Sequence, residues 1–313
     1  MPRGLRRRTA RAVVAIALAV PVGALMACTP EDLSAQQTVT LSVAELDNPY
    51  FREMGRGAHA AADAYGVGLQ ILAARNDSAR QAHQLRAAVR DGTDAVLVAP
   101  VDPLAAAAAV QPALNARVPV VAVDREVEGV RVRSTVTSDN VDGGRQVSEA
   151  LVASVGSPAQ VIHLQGDPAT SASANRAYGF RQGLAPYDDI TVVASQPVYF
   201  DPERARRVTR MLLKRYPEVD AIFAENDETA LAAVEVLGNR AGSKVEVFGY
   251  DGIPAALLAI REGRMEATVA QDPEQIGRVA VEQAVTALDG GLVAPRVPVG
   301  VELVTAGNVS QYL

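Results

Sequence analysis

Apolar positions along this chain fall into two alternating rhythms. Short β-rich apolar runs end abruptly in polar residues, and longer stretches follow in which apolar side chains recur every three or four positions. The segment from Val219 to Gly252 shows the repeating unit. Residues 221–224 and 245–248 read as strands, the first ending in Glu225-Asn226-Asp227 and the second in Gly249-Tyr250-Asp251-Gly252. Between them, 227–237 has Leu231, Val234 and Leu237 at helical spacing, with Asp227 as its cap and Gly238 as its stop. A right-handed strand–helix–strand unit has parallel strands, which puts Asn226 and Asp251 at one carboxyl edge of a sheet. Ligands of open α/β sheets bind at that edge.

The same rhythm covers the rest of the chain. Further strands are expected at 38–44, 67–73, 95–98, 118–123, 132–137, 160–164, 191–195 and 267–270, with a last extended segment at 297–304. Further helices are expected at 49–65, 78–90, 103–115, 142–154, 170–184, 202–216, 254–262 and 274–288. Strands alternating with helices imply mostly parallel sheets covered on both faces, so the fold class is α/β. The layout repeats in two half-chains, and 313 residues suffice for two domains.

The N-terminus departs from this pattern. Arg3, Arg6, Arg7, Arg8 and Arg11 precede an apolar run over 12–25, too short to span a bilayer comfortably, and Leu25-Met26-Ala27-Cys28 follows. Residues 1–27 read as a lipoprotein signal peptide, with Cys28 as the lipidated residue and 28–37 as a polar tether. A plain secretory signal or an N-terminal membrane anchor are the alternatives. Cys28 is the sole cysteine, so no disulfide forms within one chain. The leader holds five basic and no acidic side chains; what remains has 25 basic against 36 acidic ones, a formal −11. That balance argues against nucleic acid as a partner.

Candidate chemistry gathers just after the strands. Asn48, Tyr50 and Phe51 follow the first strand, and Asp124 and Arg125 the fourth; Phe200, Asn226, Asp251 and Gln271 do so in the second half, with Arg176 on a helix. Hydroxyls donate and accept at once, so carboxylates, amides and guanidinium groups suit a polyol, while aromatic rings cover the C–H faces of a sugar. Singly, each residue has an ordinary reading as an ion pair, cap, turn or core residue. Nearly every strand exit carries one, and together they mark a site.

With those residues in view, the chain resembles the ribose-binding proteins of bacterial sugar uptake systems, members of the type I periplasmic binding proteins. The segments DNPYF (47–51), AVDRE (122–126), TSDN (137–140), LQGDPATSASANRAYGF (164–180), ASQPVYFD (194–201), FAENDETAL (223–231), VFGYDG (247–252) and TVAQDPEQIG (268–277) carry the resemblance. It implies two Rossmann-like lobes joined by three crossings near Ser138, Gln271 and Gly300, closing on a sugar. The lobes would be 38–138 with 272–300, and 139–271 with 301–313. It implies Asn48, Asp124 and Arg125 as polar contacts on the first lobe and Arg176, Asn226, Asp251 and Gln271 on the second. Tyr50, Phe51, Phe200 and Tyr250 would pack on the ring. Two departures bear on the sugar: Ala99 stands where the family usually has Asn, and Tyr50 where Phe is usual. The implied function is capture of a monosaccharide, ribose or a related pentose or hexose, by a monomer. The protein would be exported, lipid-anchored on the outer face of the membrane, and would deliver to an ABC permease. A sensor feeding a membrane signalling protein and a binder of a polyol such as inositol are the alternatives.

An enzyme would need chemistry that the sequence does not offer. There is no GxSxG, no H-E-x-x-H and no Cys/His cluster, so neither catalysis, a metal nor a cofactor is expected. His59, His83 and His163 are scattered and read as structural. Gly55-x-Gly57-x-x-Ala60 imitates a dinucleotide fingerprint but lies inside an expected helix, where close packing explains it. A sugar-responsive repressor of the lac-repressor type would carry a helix-turn-helix where this chain carries an export signal.

Overall fold

The computed structural model describes residue 1 and residues 36–313, and the latter form one compact unit. The expected leader after residue 1, Cys28 and the tether up to residue 35 lie outside the described residues. The first half contains β1 (Thr38–Val43), α1 (Pro49–Tyr65), β2 (Gly68–Ala73), α2 (Ser78–Arg90), β3 (Ala95–Val98), α3 (Pro103–Asn115), β4 (Val120–Val123) and β5 (Ser134–Ser138). The second contains α4 (Asn140–Val155), β6 (Ala159–Gln165), α5 (Ser171–Leu184), β7 (Ile190–Pro197), α6 (Pro202–Arg215), β8 (Ala221–Ala224), α7 (Asp227–Leu237), β9 (Glu246–Asp251), α8 (Pro254–Arg261) and β10 (Ala267–Ala270). Then come α9 (Pro273–Leu288), β11 (Arg296–Val299) and β12 (Glu302–Thr305).

These elements build two lobes, each around a six-stranded sheet. One sheet has the order β11-β5-β4-β3-β1-β2, all parallel. The other has the order β12-β10-β9-β8-β6-β7, parallel except that β12 runs against β10. Inner strands such as β3 (AVLV), β4 (VVAV) and β8 (AIFA) are buried at every position, which is why they read as unbroken apolar runs. The chain passes between the sheets three times: from β5 to α4, from β10 to α9 and from β11 to β12.

Each lobe brings two helices into contact through glycines. A Cβ on Gly57 of α1 would lie 1.9 Å from the Glu274 carbonyl oxygen of α9, and one on Gly179 of α5 would lie 1.9 Å from that of Val141 in α4. Packing therefore accounts for the glycines of the 55–60 motif.

Three expectations need correction. The segment 297–304 is two strands in different sheets, parted at Gly300-Val301. Its apolar pattern cannot show that a turn redirects it. The strand expected at 245–248 runs on to Asp251, because β10 pairs with it through Tyr250 and Asp251. Asn226, not Asp227, caps α7: its Oδ1 accepts from Thr229 N–H, while the Asp227 carboxylate turns to the backbone N–H groups of Gly252 and Ile253.

Candidate functional site

On the first lobe, the exit of β1 leads into α1 through Asn48 and Pro49. Asn48 Oδ1 caps the helix by accepting from Tyr50 N–H, and its Nδ2 donates at 3.0 Å to Glu228 on α7. Tyr50 and Phe51, in the first turn, meet edge to face with ring centroids 5.3 Å apart. The exit of β4 turns sharply at Asp124, whose φ of 62° lies in the left-handed region. Tyr50 Oη donates to Asp124 Oδ1 at 2.8 Å, and Arg125 Nε lies 3.3 Å from Oδ2. Arg125 also donates to the Pro100 carbonyl at 3.1 Å and reaches across to Phe200, 5.4 Å from its ring centroid.

On the second lobe, Arg176 of α5 is enclosed. It donates from Nε to Asn140 Oδ1 at 2.8 Å and from Nη1 to the Glu225 carbonyl at 2.5 Å; Nη1 lies 3.6 Å from Asp251 Oδ1. Its guanidinium covers the Tyr250 ring at 3.8 Å. Burial works against this cation, but Tyr250, Asp251 and Asp124 outweigh it and hold its pKa above the ordinary value. Asp251 moves the other way in effect: burial first raises its carboxyl well above the usual carboxylate range, partly offset by Arg176. Behind it the fully buried Asp227 accepts from Gly252 N–H, Ile253 N–H and Thr268 Oγ1, yet burial still pushes its pKa to about 7.

The walls meet around a cavity of about 520 Å³. Asn48, Tyr50, Phe51, Asp124, Arg125, Arg176, Phe200, Asn226 and Asp251 all line it. Gln271 does not. It stands behind Asp251, donating to Asp251 Oδ1 and accepting from Ser138 Oγ, both at 2.6 Å, so it ties the site to the crossing between the lobes. Tyr250 is also absent from the lining. Strand alternation puts it with Phe248 in the second-lobe core, fully buried beneath α4. Ala99 is buried away from the cavity too, its carbonyl held by Gln81 Nε2 at 2.9 Å.

Sequence reasoning missed several residues here. Glu225, fully buried, accepts from the Gly166 N–H at 2.7 Å and from Ser173 Oγ, and pairs with His163 Nε2 at 2.8 Å. It thereby holds Gly166 against Phe200, where a Cβ would lie 2.0 Å from the ring. His163 thus has the structural role expected of it. Glu45 and Glu228 also line the cavity, each with its carboxyl pushed up, by burial first. The signal available for Glu225 was a charge directly following a fully apolar strand. Carboxylates, guanidinium groups, amides and rings so arranged can hold a neutral polyol from several sides.

Comparison with known proteins agrees with this geometry. The family model described as a periplasmic binding protein domain matches residues 39–292. The ribose import binding protein of Escherichia coli strain K12 is 37% identical over 289 residues, 92% of this chain and 97% of that protein. The ribose import binding protein of Bacillus subtilis strain 168 is 37% identical over 86% of this chain and 87% of its own. Among solved structures, the Caulobacter myo-inositol binding protein bound to myo-inositol superposes with a TM-score of 0.83 at 33% identity, covering 89% of this chain and 96% of that one.

Proposed function

This chain belongs to the periplasmic binding protein domain family, solute-binding proteins and not enzymes, and from that premise we propose that it captures a monosaccharide between its lobes and delivers it to an ABC permease. Ribose or a related pentose or hexose is the ligand. The observation that supports this is the cavity of about 520 Å³ into which two Asp–Arg sets and four aromatic rings converge from both lobes. Ligand cavities commonly fall in the range of roughly 300–1,000 Å³. On this reading Asn48, Tyr50, Phe51, Asp124, Arg125, Arg176, Phe200, Asn226 and Asp251 contact the ligand, and Gln271 orients Asp251. The moving bodies are 38–138 with 272–300, and 139–271 with 301–313, turning about the three crossings. Closure of such bodies on a ligand is a population shift toward the form that holds it, and the closed form is what a permease reads.

Calorimetry of residues 28–313 against D-ribose, D-allose and myo-inositol, with small-angle scattering, tests the reading. One-to-one binding of a sugar with a smaller radius of gyration is expected; no binding, or binding without contraction, defeats it. A cyclic polyol is the second reading, favoured by the 33% identical neighbour bound to myo-inositol. It wins if myo-inositol binds and the sugars do not. The monomer is anchored outside the cytoplasmic membrane through Cys28, a reading motivated by the basic residues, short apolar run and lone cysteine of the N-terminus. Palmitate labelling that persists in Cys28→Ala would refute the anchor.

A further inference from the structure

We propose that Tyr50 sets ligand specificity by occupying, with its own hydroxyl, one of the two oxygens that Asp124 offers the cavity, so that the ligand needs no hydroxyl at that place. The inference rests on the sugar reading of the cavity and sharpens it. Both residues line the cavity, and the Tyr50 hydroxyl donates to Asp124 Oδ1 at 2.8 Å. Both belong to the first lobe, so the bond does not depend on closure or on a ligand. Neither partner has much freedom to move away. Tyr50 is 5% exposed, sits in the first turn of α1 and packs edge-on against Phe51. Asp124 is 4% exposed, and its N–H is fixed to the Val136 carbonyl at 2.9 Å. Burial and then the charge of Asp124 hold the Tyr50 phenol well above its ordinary pKa, so it remains a donor throughout the working range.

The consequence is a difference in how the two Asp124 oxygens treat a ligand. Oδ2, beside Arg125 Nε at 3.3 Å, is left to accept from a sugar hydroxyl. Oδ1 already has a donor. A site whose buried acceptor needs a ligand hydroxyl rejects the analogue that lacks it, because the acceptor is then stranded. Supplying the donor from the protein removes that rejection. Tyr50 therefore admits a sugar deoxygenated at the carbon facing Oδ1 nearly as well as the parent sugar.

The test is calorimetry of the parent and Tyr50→Phe with D-ribose and with 2-deoxy-, 3-deoxy- and 5-deoxy-D-ribose. In the parent, one deoxy derivative is expected to bind within about threefold of D-ribose. In Tyr50→Phe the same derivative should fall roughly ten- to a hundredfold behind D-ribose, the usual size of a hydrogen bond to a charged group. Unchanged ratios in the variant would overturn the proposal while leaving the sugar reading intact. A deoxy penalty present in the parent and lost in Tyr50→Phe would overturn it too, since the hydroxyl would then be a ligand contact. Failure of both proteins to bind any of the four would overturn the proposal together with ribose as the ligand. Should Tyr50→Phe not fold, the deoxy series on the parent decides alone: a penalty of tenfold or more at every position refutes the proposal, and its absence at one position upholds it.

Discussion

The arginines of the two walls differ in the company they keep. Arg125, on the first lobe, has one backbone acceptor at Pro100, a neighbouring Asp124 and an aromatic partner across the cleft. Arg176, on the second, is held by Asn140, the Glu225 carbonyl, Asp251 and the Tyr250 ring, all on its own lobe. Opening the cleft would take Phe200 from Arg125 and the more distant charge of Asp124 from Arg176, but none of the groups that touch Arg176. On the closure proposed above, the second-lobe wall would be set before a ligand arrives, and part of the first-lobe wall would be completed by closure. Pre-set groups lose less freedom on binding, so on that proposal the second lobe would receive the ligand and the first would close over it.

The largest expected effect breaks that contrast at its stronger end. Arg176→Ala leaves Asp251 buried without its cation and Asn140 without its donor, and should lower unfolding free energy by about 3 kcal/mol as well as abolish binding. Urea denaturation without ligand measures it; a loss below about 1 kcal/mol would show that the enclosure does not stabilise the lobe.

The next concerns Asp227, the buried carboxyl behind the second-lobe wall. Its folded pKa of about 7 stands above its ordinary 3.8, so between those values the folded state holds more protons than the unfolded one. Its contribution to stability is therefore fully present below about pH 4 and lost as pH rises through 7, by up to a few kcal/mol. Asp227→Asn, which mimics the neutral form, should flatten this part of the stability–pH curve. Parallel curves for the two proteins would remove Asp227 from the account.

The smallest effect lies at the other end of the contrast. Arg125→Ala should change stability without ligand by less than about 1 kcal/mol, while weakening binding by roughly one to two decades. Destabilisation as large as that of Arg176→Ala would make the two walls alike.

Much of this was legible in the residues. Strand and helix order follow from apolar spacing and from the Pro, Asp and Asn residues that open the helices, all of which act within a few residues along the chain. Nine of the ten candidate residues, which lie just after strands or, for Arg176, on a helix, and which the resemblance also implied, line one cavity. What spacing does not carry is a strand's true end, which depends on its neighbour. Pairing with β10 draws β9 on to Asp251 and, by alternation, sends Tyr250 into the core.

From the sequence alone came the α/β class, the two half-chains and the polar residues at the carboxyl edges, because periodicity, caps and turns are local properties. Tertiary structure alone decided that Gln271 supports Asp251 from behind, that Glu225 holds Gly166 against Phe200, that Tyr50 binds Asp124 and that Arg176 is enclosed. Each of these is a choice among several possible hydrogen-bond partners far apart in the chain. Buried polar groups must find partners wherever the packing brings them, and no local pattern records which partner that will be.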